Sequence, residues 1–218
     1  MDVGGGTALA ERGARRRVVW GGLVALLLLG SGLVGYHWPR EARAVLRRMA
    51  DPIVLGRVER FATEIRAAAE ESGLDPCLVA AIVYSESSGD PSAVSKANAV
   101  GLMQLLPPAT EDSARRLGVD VPTPEELLED PALNLRLGAS HFAWTLRNEN
   151  DDAERALVAY NAGRTKLRRW IKAAGSYEAW RAERKRAGDS TTLAYAGRVL
   201  QYAEVFRDRG TIAGADAP

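Results

Sequence analysis

Apolar residues recur at steps of three and four along most of the chain beyond residue 54, which is the spacing of one face of an α-helix. The apolar face of the first predicted helix consists of Leu55, Val58, Phe61, Ile65 and Ala68. This helix ends at Gly73, a residue type that commonly closes helices. No stretch alternates apolar and polar residues convincingly, as a half-buried strand would. The pattern therefore predicts an all-α fold.

Prolines and capping residues mark where further helices begin. In Asp75-Pro76, for example, the aspartate can cap, and the missing N–H of the proline would have no helical partner anyway. Gly118 and Gly163 mark two of the helix ends. After the first helix, predicted helices start at Pro76, Pro107, Pro131, Ala153, Arg164, Tyr177 and Thr191, and the last ends near Arg207. Pro124 is predicted to start a short acidic turn.

A different pattern occupies the N-terminal part of the chain. Residues 18–36 carry no charge, and their 19 positions suffice to cross about 30 Å of hydrocarbon. Trp20 and Trp38 bracket the run like interfacial anchors, and arginines precede it. We predict a single transmembrane helix with a cytoplasmic N-terminus; a cleaved signal peptide is the alternative. The predicted divisions are a basic N-terminus (1–17), the anchor or signal segment (18–36), a juxtamembrane spacer (37–53), a helical domain (54–209) and a disordered tail (210–218).

Composition narrows the function classes. The 29 basic and 28 acidic residues nearly cancel, which gives no support for nucleic-acid binding. The single cysteine, Cys77, excludes an internal disulfide, and we predict that it is buried. His37 and His141 lie in unrelated segments, so we predict neither a metal site nor a cofactor.

One carboxylate stands out as candidate chemistry. The second helix carries Leu78, Val79, Ile82 and Val83 at helical spacing, and Glu86 follows at the end of this apolar face. Desolvation raises the pKa of a carboxyl group, and the partial negative charge of a helix C-terminus acts in the same direction. Glu86 is therefore a candidate general acid that stays protonated near neutral pH.

Three motifs in this order resemble the lytic transglycosylases of the soluble-transglycosylase type. They are ES at residues 86–87, followed by AVS at 93–95 and GLMQ at 101–104; AYNAG at 159–163; and a tyrosine in the last helix, Tyr195. The resemblance covers roughly residues 55 to 207. It implies a lysozyme-like helical domain that cleaves peptidoglycan, anchored to the bacterial inner membrane and facing the periplasm or cell wall.

The resemblance also implies a mechanism with one carboxylate. Glu86 would protonate the glycosidic oxygen between N-acetylmuramic acid and N-acetylglucosamine, and would then act as the base that yields a 1,6-anhydromuramic acid product. Ser95 would polarise the 2-acetamido group of the sugar. Gln104 would hydrogen-bond a sugar substituent, and Met103 would form an apolar wall.

The second and third motifs imply three further roles. Tyr160 matches a tyrosine that hydrogen-bonds and orients the catalytic carboxyl. Asn161 would bond an N-acetyl group or hold its loop, and Tyr195 would close the site from the last helix. The chain departs from the usual pattern at Asn98, where glycine is common, and at Thr191 or Thr192, where an acidic residue is common.

Two other functions remain open at this point. A hydrolytic muramidase would need a second carboxylate, for which Asp90 or an acidic residue near Asp120 is the candidate. Asp90 lies in a Ser-Gly-Asp-Pro run, where aspartate is expected simply as a turn residue. A non-catalytic protein that binds the cell wall is the third possibility.

Overall fold

The structure is a computed structural model that describes residues 51–188 and 190–212. The predicted N-terminus (1–17), the predicted membrane segment (18–36) and most of the predicted spacer and tail lie outside the described residues. None of the helices in the described part of the chain is long and apolar enough to cross a membrane.

Residues 51–59 are helical, and nine further helices follow in the described part of the chain. These are α1 (Ala62–Ser72), α2 (Pro76–Ser87), α3 (Pro107–Leu117), α4 (Pro124–Glu129), α5 (Pro131–Asn148), α6 (Ala153–Ala162), α7 (Arg164–Ala174), α8 (Tyr177–Ala187) and α9 (Thr191–Arg209). The only extended pairing within the described residues is a pair of isolated bridges in the α2–α3 loop, made by Val100 with Val94 and with Leu105. The predicted all-α class is confirmed for this part of the chain.

The helix starts follow the capping chemistry of the sequence. The Asp75 carboxylate accepts a hydrogen bond from the Cys77 N–H, and Pro76 occupies the first turn of α2. At α4, the Thr123 hydroxyl and the Glu126 carboxylate each accept a backbone N–H of the other residue, which is a capping box. Local side-chain chemistry thus sets the point where each of these helices begins.

The predicted first helix is wrong in one respect, because it is two helices. The N–H of Phe61 donates to the Val58 carbonyl in a turn at residues 60–61, and α1 begins only at Ala62. Leu55, Val58 and Ile65 are all buried despite the break, since the turn keeps their apolar face directed to one core.

Helix α2 lies at the centre of the main core. Cys77 and residues 79–83 are at most 1% exposed, so α2 is apolar on nearly all sides. The surrounding core includes Val199 and Phe206 of α9, both fully buried. This packing fixes the C-terminal end of α2, where Glu86 lies.

Candidate active site

Glu86 and Tyr195 form the centre of the candidate site. Glu86 lies in the last turn of α2 and is half-buried, and the Tyr195 hydroxyl donates a 2.6 Å hydrogen bond to its Oε1 atom. Tyr195 is buried on α9, one of the helices that pack around the same core as α2. The carboxyl is therefore held by two helices of the main core.

Burial raises the pKa of the Glu86 carboxyl above its ordinary value. The hydrogen bond from Tyr195 and the positive charge of Arg198 lower this pKa, but burial is the larger effect. The protonated form is thus favoured to higher pH than in a solvated glutamate. A carboxylic acid in this state can donate a proton to a bound substrate.

The prediction that Tyr160 hydrogen-bonds the catalytic carboxyl is wrong in this structure. The Tyr160 hydroxyl donates instead to the backbone carbonyl of Met103, over 2.9 Å. Burial and the negative charge of Glu86 both raise the pKa of Tyr160, which keeps its hydroxyl protonated as a donor. Tyr160 therefore secures the loop beside Glu86, and Tyr195 is the tyrosine that bonds the carboxyl.

The α2–α3 loop, residues 88–106, carries the predicted sugar ligands. Asn98 has the left-handed backbone that its type tolerates, with φ of 59°. The Gln104 amide nitrogen donates to the carbonyls of Ala93 (3.1 Å) and Gly101 (3.0 Å). Since these two bonds use both amide hydrogens of Gln104, its carbonyl oxygen is the group left for a sugar donor.

Ser95 organises the first half of this loop. Its Oγ atom accepts hydrogen bonds from the N–H groups of Ala97 (3.2 Å) and Ala99 (3.0 Å). A hydroxyl oxygen has two acceptor positions, and here both are occupied. The Ser95 hydroxyl can therefore still donate one hydrogen bond to a ligand.

The resemblance implied that Met103 would form an apolar wall of the site, but the structure buries this side chain completely. Its side chain has no exposed surface and packs on Gly138 of α5, where an added Cβ would lie 2.6 Å from the Met103 Cβ. Met103 therefore belongs to the core beneath the loop.

Asn134 of α5 was not predicted from the sequence, and it clamps this loop. Its Oδ1 atom accepts the Met103 N–H (2.9 Å), and its Nδ2 donates to the Val100 carbonyl (3.0 Å). The clamp is so close that a Cβ on Gly101 would lie 2.1 Å from Asn134 Nδ2. The only sequence signal was an asparagine between Leu133 and Leu135 in an apolar helix.

A second unpredicted residue, Glu149, lies directly after α5 and binds the first turns of α6 and α7. Its carboxylate is buried and accepts hydrogen bonds from Arg155 Nε (2.7 Å) and Arg164 Nε (3.1 Å). These two arginines lie on either side of Asn161, which is exposed and so is available to a ligand. The ion pairs join the end of α5 to α6 and α7 and thereby hold the AYNAG segment.

Neither candidate for a second carboxylate is placed like a catalytic base. Asp90 is exposed, and its Oδ1 atom accepts the N–H and hydroxyl of Ser92, which lower its pKa. Asp120 is exposed in the loop between α3 and α4. Within the described residues, no three His, Cys, Asp or Glu side chains are grouped as a metal ion would require.

These features define a class of protein: an all-helical domain whose candidate active site has one desolvated carboxyl at the end of a buried helix. Over residues 63–182 the chain matches the Transglycosylase SLT domain, and it belongs to that family.

Known relatives agree with the assignment. The membrane-bound lytic murein transglycosylase C of Actinobacillus succinogenes is 36% identical over 116 residues, which is 49% of this chain and 32% of the relative. The enzyme of the same name from Haemophilus influenzae has the same identity and coverage. The chain thus spans about a third of the length of the curated relatives it matches.

Solved structures share the fold. An inactive mutant of the lytic transglycosylase Slt from Pseudomonas aeruginosa superposes with a TM-score of 0.60 at 27% identity, covering 69% of this chain and 24% of that one. The 70 kDa soluble lytic transglycosylase of Escherichia coli gives 0.59 at 24% identity, with 70% and 25% covered.

Proposed function

We propose that this protein is a peptidoglycan lytic transglycosylase that uses Glu86 as its only catalytic carboxyl. The observation that carries the proposal is the half-buried Glu86 with a raised pKa, bonded by Tyr195, while Asp90 is occupied in a turn. Membership of the family and the names of its relatives support the same activity.

In the proposed first step, the Glu86 carboxyl donates its proton to the glycosidic oxygen that leaves N-acetylmuramic acid. The carbonyl oxygen of the 2-acetamido group attacks the anomeric carbon as that bond breaks, which gives an oxazolinium ion. The Ser95 hydroxyl donates a hydrogen bond to the acetamido group and aligns it. The hydrogen bond from Tyr195 stabilises the Glu86 carboxylate that this step leaves behind.

In the second step, the Glu86 carboxylate takes the proton of the 6-hydroxyl of the same sugar. The 6-oxygen bonds to the anomeric carbon, the oxazolinium opens, and a 1,6-anhydromuramic acid end results. The carboxyl recovers its proton, and no water is consumed. One residue serves both steps, which suits a pKa raised toward the working pH.

We also propose that residues 18–36 anchor the chain in the cytoplasmic membrane, with the catalytic domain facing the periplasm or cell wall. Support comes from the uncharged 19-residue run and from relatives named membrane-bound. Expression of the full chain followed by carbonate extraction of membranes tests this. Recovery in the soluble fraction would contradict the proposed anchor.

The activity is tested with the full chain in detergent on purified sacculi, by chromatography of the soluble muropeptides. We expect Glu86→Gln to lower release at least about a hundredfold, because general acid and base catalysis contributes that much or more. Glu70→Gln, an exposed substitution on α1, is the matched control and should release muropeptides like the wild type. Equal release by Glu86→Gln and wild type would overturn the assignment, and failure of the wild type to release muropeptides would do the same.

A further inference from the structure

A cavity of about 400 Å³ lies where α7, α8 and the start of α9 meet. Its walls include Lys166, Trp170, Trp180, Arg184, Thr191 and Thr192. This volume is in the range of pockets that hold small ligands. None of the contacts that hold Glu86 uses these side chains, so the cavity is separate from the carboxyl itself.

Aromatic and aliphatic groups form one part of the cavity wall. The rings of Trp170 and Trp180 stack at a centroid distance of 5.3 Å and an angle of 8°. Ala173 and Ala174 add small apolar surface beside them. Because the stacked rings are fixed by each other, this wall is preformed and can receive an aliphatic part of a ligand.

Among the described residues of the cavity wall, the positive charges of Lys166 and Arg184 outnumber the single negative charge of Glu183. Arg184 and Glu183 form an ion pair within its walls. Lys166 lies with its Nζ atom 5.1 Å from the centroid of Trp170, and no carboxylate of the described residues forms a salt bridge with it. Thr191 and Thr192 contribute uncharged hydroxyls. An anionic group is therefore the ligand that this cavity favours.

The cavity lies close to the candidate catalytic group. Thr191 and Thr192 are in the first turn of α9, and Tyr195 follows about one turn later, or roughly 5 Å along the helix axis. Tyr195 holds Glu86 through its hydroxyl. The first two turns of α9 therefore contribute both to the cavity wall and to the contact that holds Glu86.

We propose that this cavity binds a carboxylate of the peptide stem that muramic acid carries. The inference rests on the proposed function, since it takes the sugar at Glu86 to be muramic acid. Lys166 pairs with the carboxylate, the Thr191 hydroxyl donates a hydrogen bond to it, and the aliphatic part of the stem lies on Trp170. Thr191 and Thr192 carry no charge, so they do not repel an anion from the cavity.

Isothermal titration of the full chain in detergent with a synthetic stem peptide, L-alanyl-γ-D-glutamyl-meso-diaminopimelate, tests the proposal. We expect Lys166→Ala to raise the Kd about tenfold or more, as loss of a hydrogen bond between charged groups does. Thr191→Glu, which places a carboxylate in the cavity, should raise it similarly. Lys172→Ala is the matched control, because Lys172 is exposed on the same helix and does not line the cavity.

The outcomes separate this proposal from the proposed function. A peptide with its carboxylates amidated should not bind, and Lys166→Arg should restore most of the affinity. An equal Kd for wild type and Lys166→Ala, or no heat from the wild type at millimolar peptide, would overturn the cavity's assignment even if sacculi are cleaved. Peptide binding that depends on Lys166 supports the assignment of the cavity. The proposed activity is tested separately, by the release of muropeptides.

Discussion

At the scale of single residues, two opposing effects set the state of Glu86. Burial favours its protonated form, whereas the Tyr195 hydroxyl favours the carboxylate that it bonds over 2.6 Å. Glu86 can therefore lose its proton during the reaction, because the Tyr195 hydroxyl stabilises the resulting carboxylate by a hydrogen bond. Both states of Glu86 are needed if the same residue is to act as acid and then as base.

Tyr195→Phe tests this balance. Removal of the hydroxyl takes away the interaction that lowers the pKa of Glu86, so that pKa should rise further. Because the reaction begins with protonated Glu86, the alkaline limb of the kcat/KM profile should move to higher pH. The maximal kcat should fall about tenfold or more, since the carboxylate loses a hydrogen bond.

The matched control is Tyr177→Phe, which removes a tyrosine hydroxyl from a different carboxylate, that of Glu154 on α6. It should leave the alkaline limb where it is in the wild type. A limb that moves to lower pH in Tyr195→Phe, or stays unmoved, would contradict the role given to Tyr195.

At the scale of elements, the site depends on how α5 holds the α2–α3 loop. Asn134 is fully buried and satisfies one N–H and one carbonyl of that loop. Asn134→Ala leaves both groups unpaired in the core, which should lower the free energy of unfolding by about 2–5 kcal/mol. Urea denaturation followed by circular dichroism measures this difference.

Asn148→Ala provides the comparison on the same helix. Asn148 is exposed and its Nδ2 donates to the Trp144 carbonyl within α5. The expected change is within about 0.5 kcal/mol, as for most surface substitutions. Similar losses for the two asparagine variants would show that Asn134 does not act as a clamp.

Helices α5, α6 and α7 are joined by a buried carboxylate. Glu149→Ala leaves Arg155 and Arg164 without their partner in a half-buried setting and should cost about 3–5 kcal/mol in the free energy of unfolding. Glu204→Ala removes an exposed ion pair with Arg207 and should cost at most about 1 kcal/mol. Urea denaturation followed by circular dichroism measures both differences. A smaller loss of unfolding free energy for Glu149→Ala than for Glu204→Ala would contradict the role of Glu149 in joining these helices.

Local chemistry explains which features were predictable from the sequence. The starts of α2, α3, α4 and α5 follow from prolines and capping side chains, and Glu86 follows from its place after an apolar face. The turn at Arg60 and Phe61 was not predictable from periodicity, because the apolar face continues across it.

The features that the sequence did not predict are contacts between residues far apart in the chain. A motif places Tyr160 near the site but does not show that its hydroxyl bonds Met103, 57 positions away. The bond between Tyr195 and Glu86 joins residues 109 positions apart. The burial of Met103 and the clamp by Asn134 likewise depend on packing between α5 and a loop without periodicity.

At the scale of the whole molecule, the raised pKa of Glu86 links catalysis to stability. The folded protein binds the Glu86 proton more tightly than the unfolded chain does, so this group destabilises the fold as pH rises above its ordinary, unfolded pKa. The apolar burial of Cys77 and residues 79–83 stabilises α2 and offsets this loss of unfolding free energy.

Glu86→Gln should therefore be more stable than the wild type at neutral pH. The difference in the free energy of unfolding should shrink as pH falls and vanish below the unfolded pKa of glutamate, where both folded and unfolded wild type are protonated. Urea titrations at a series of pH values measure it, with Glu70→Gln as the control that should parallel the wild type. A Glu86→Gln variant that is less stable than wild type at neutral pH would contradict the burial cost assigned to this carboxyl.

The central claim is that Glu86 drives ring closure by the substrate's own hydroxyl and not attack by water. Digestion of sacculi in water enriched in oxygen-18, followed by mass spectrometry of the muropeptides, tests this most directly. We expect muramic acid ends in the 1,6-anhydro form, which lack both the mass of a water molecule and the heavy isotope. Reducing ends that carry oxygen-18 would show hydrolysis and would contradict the account.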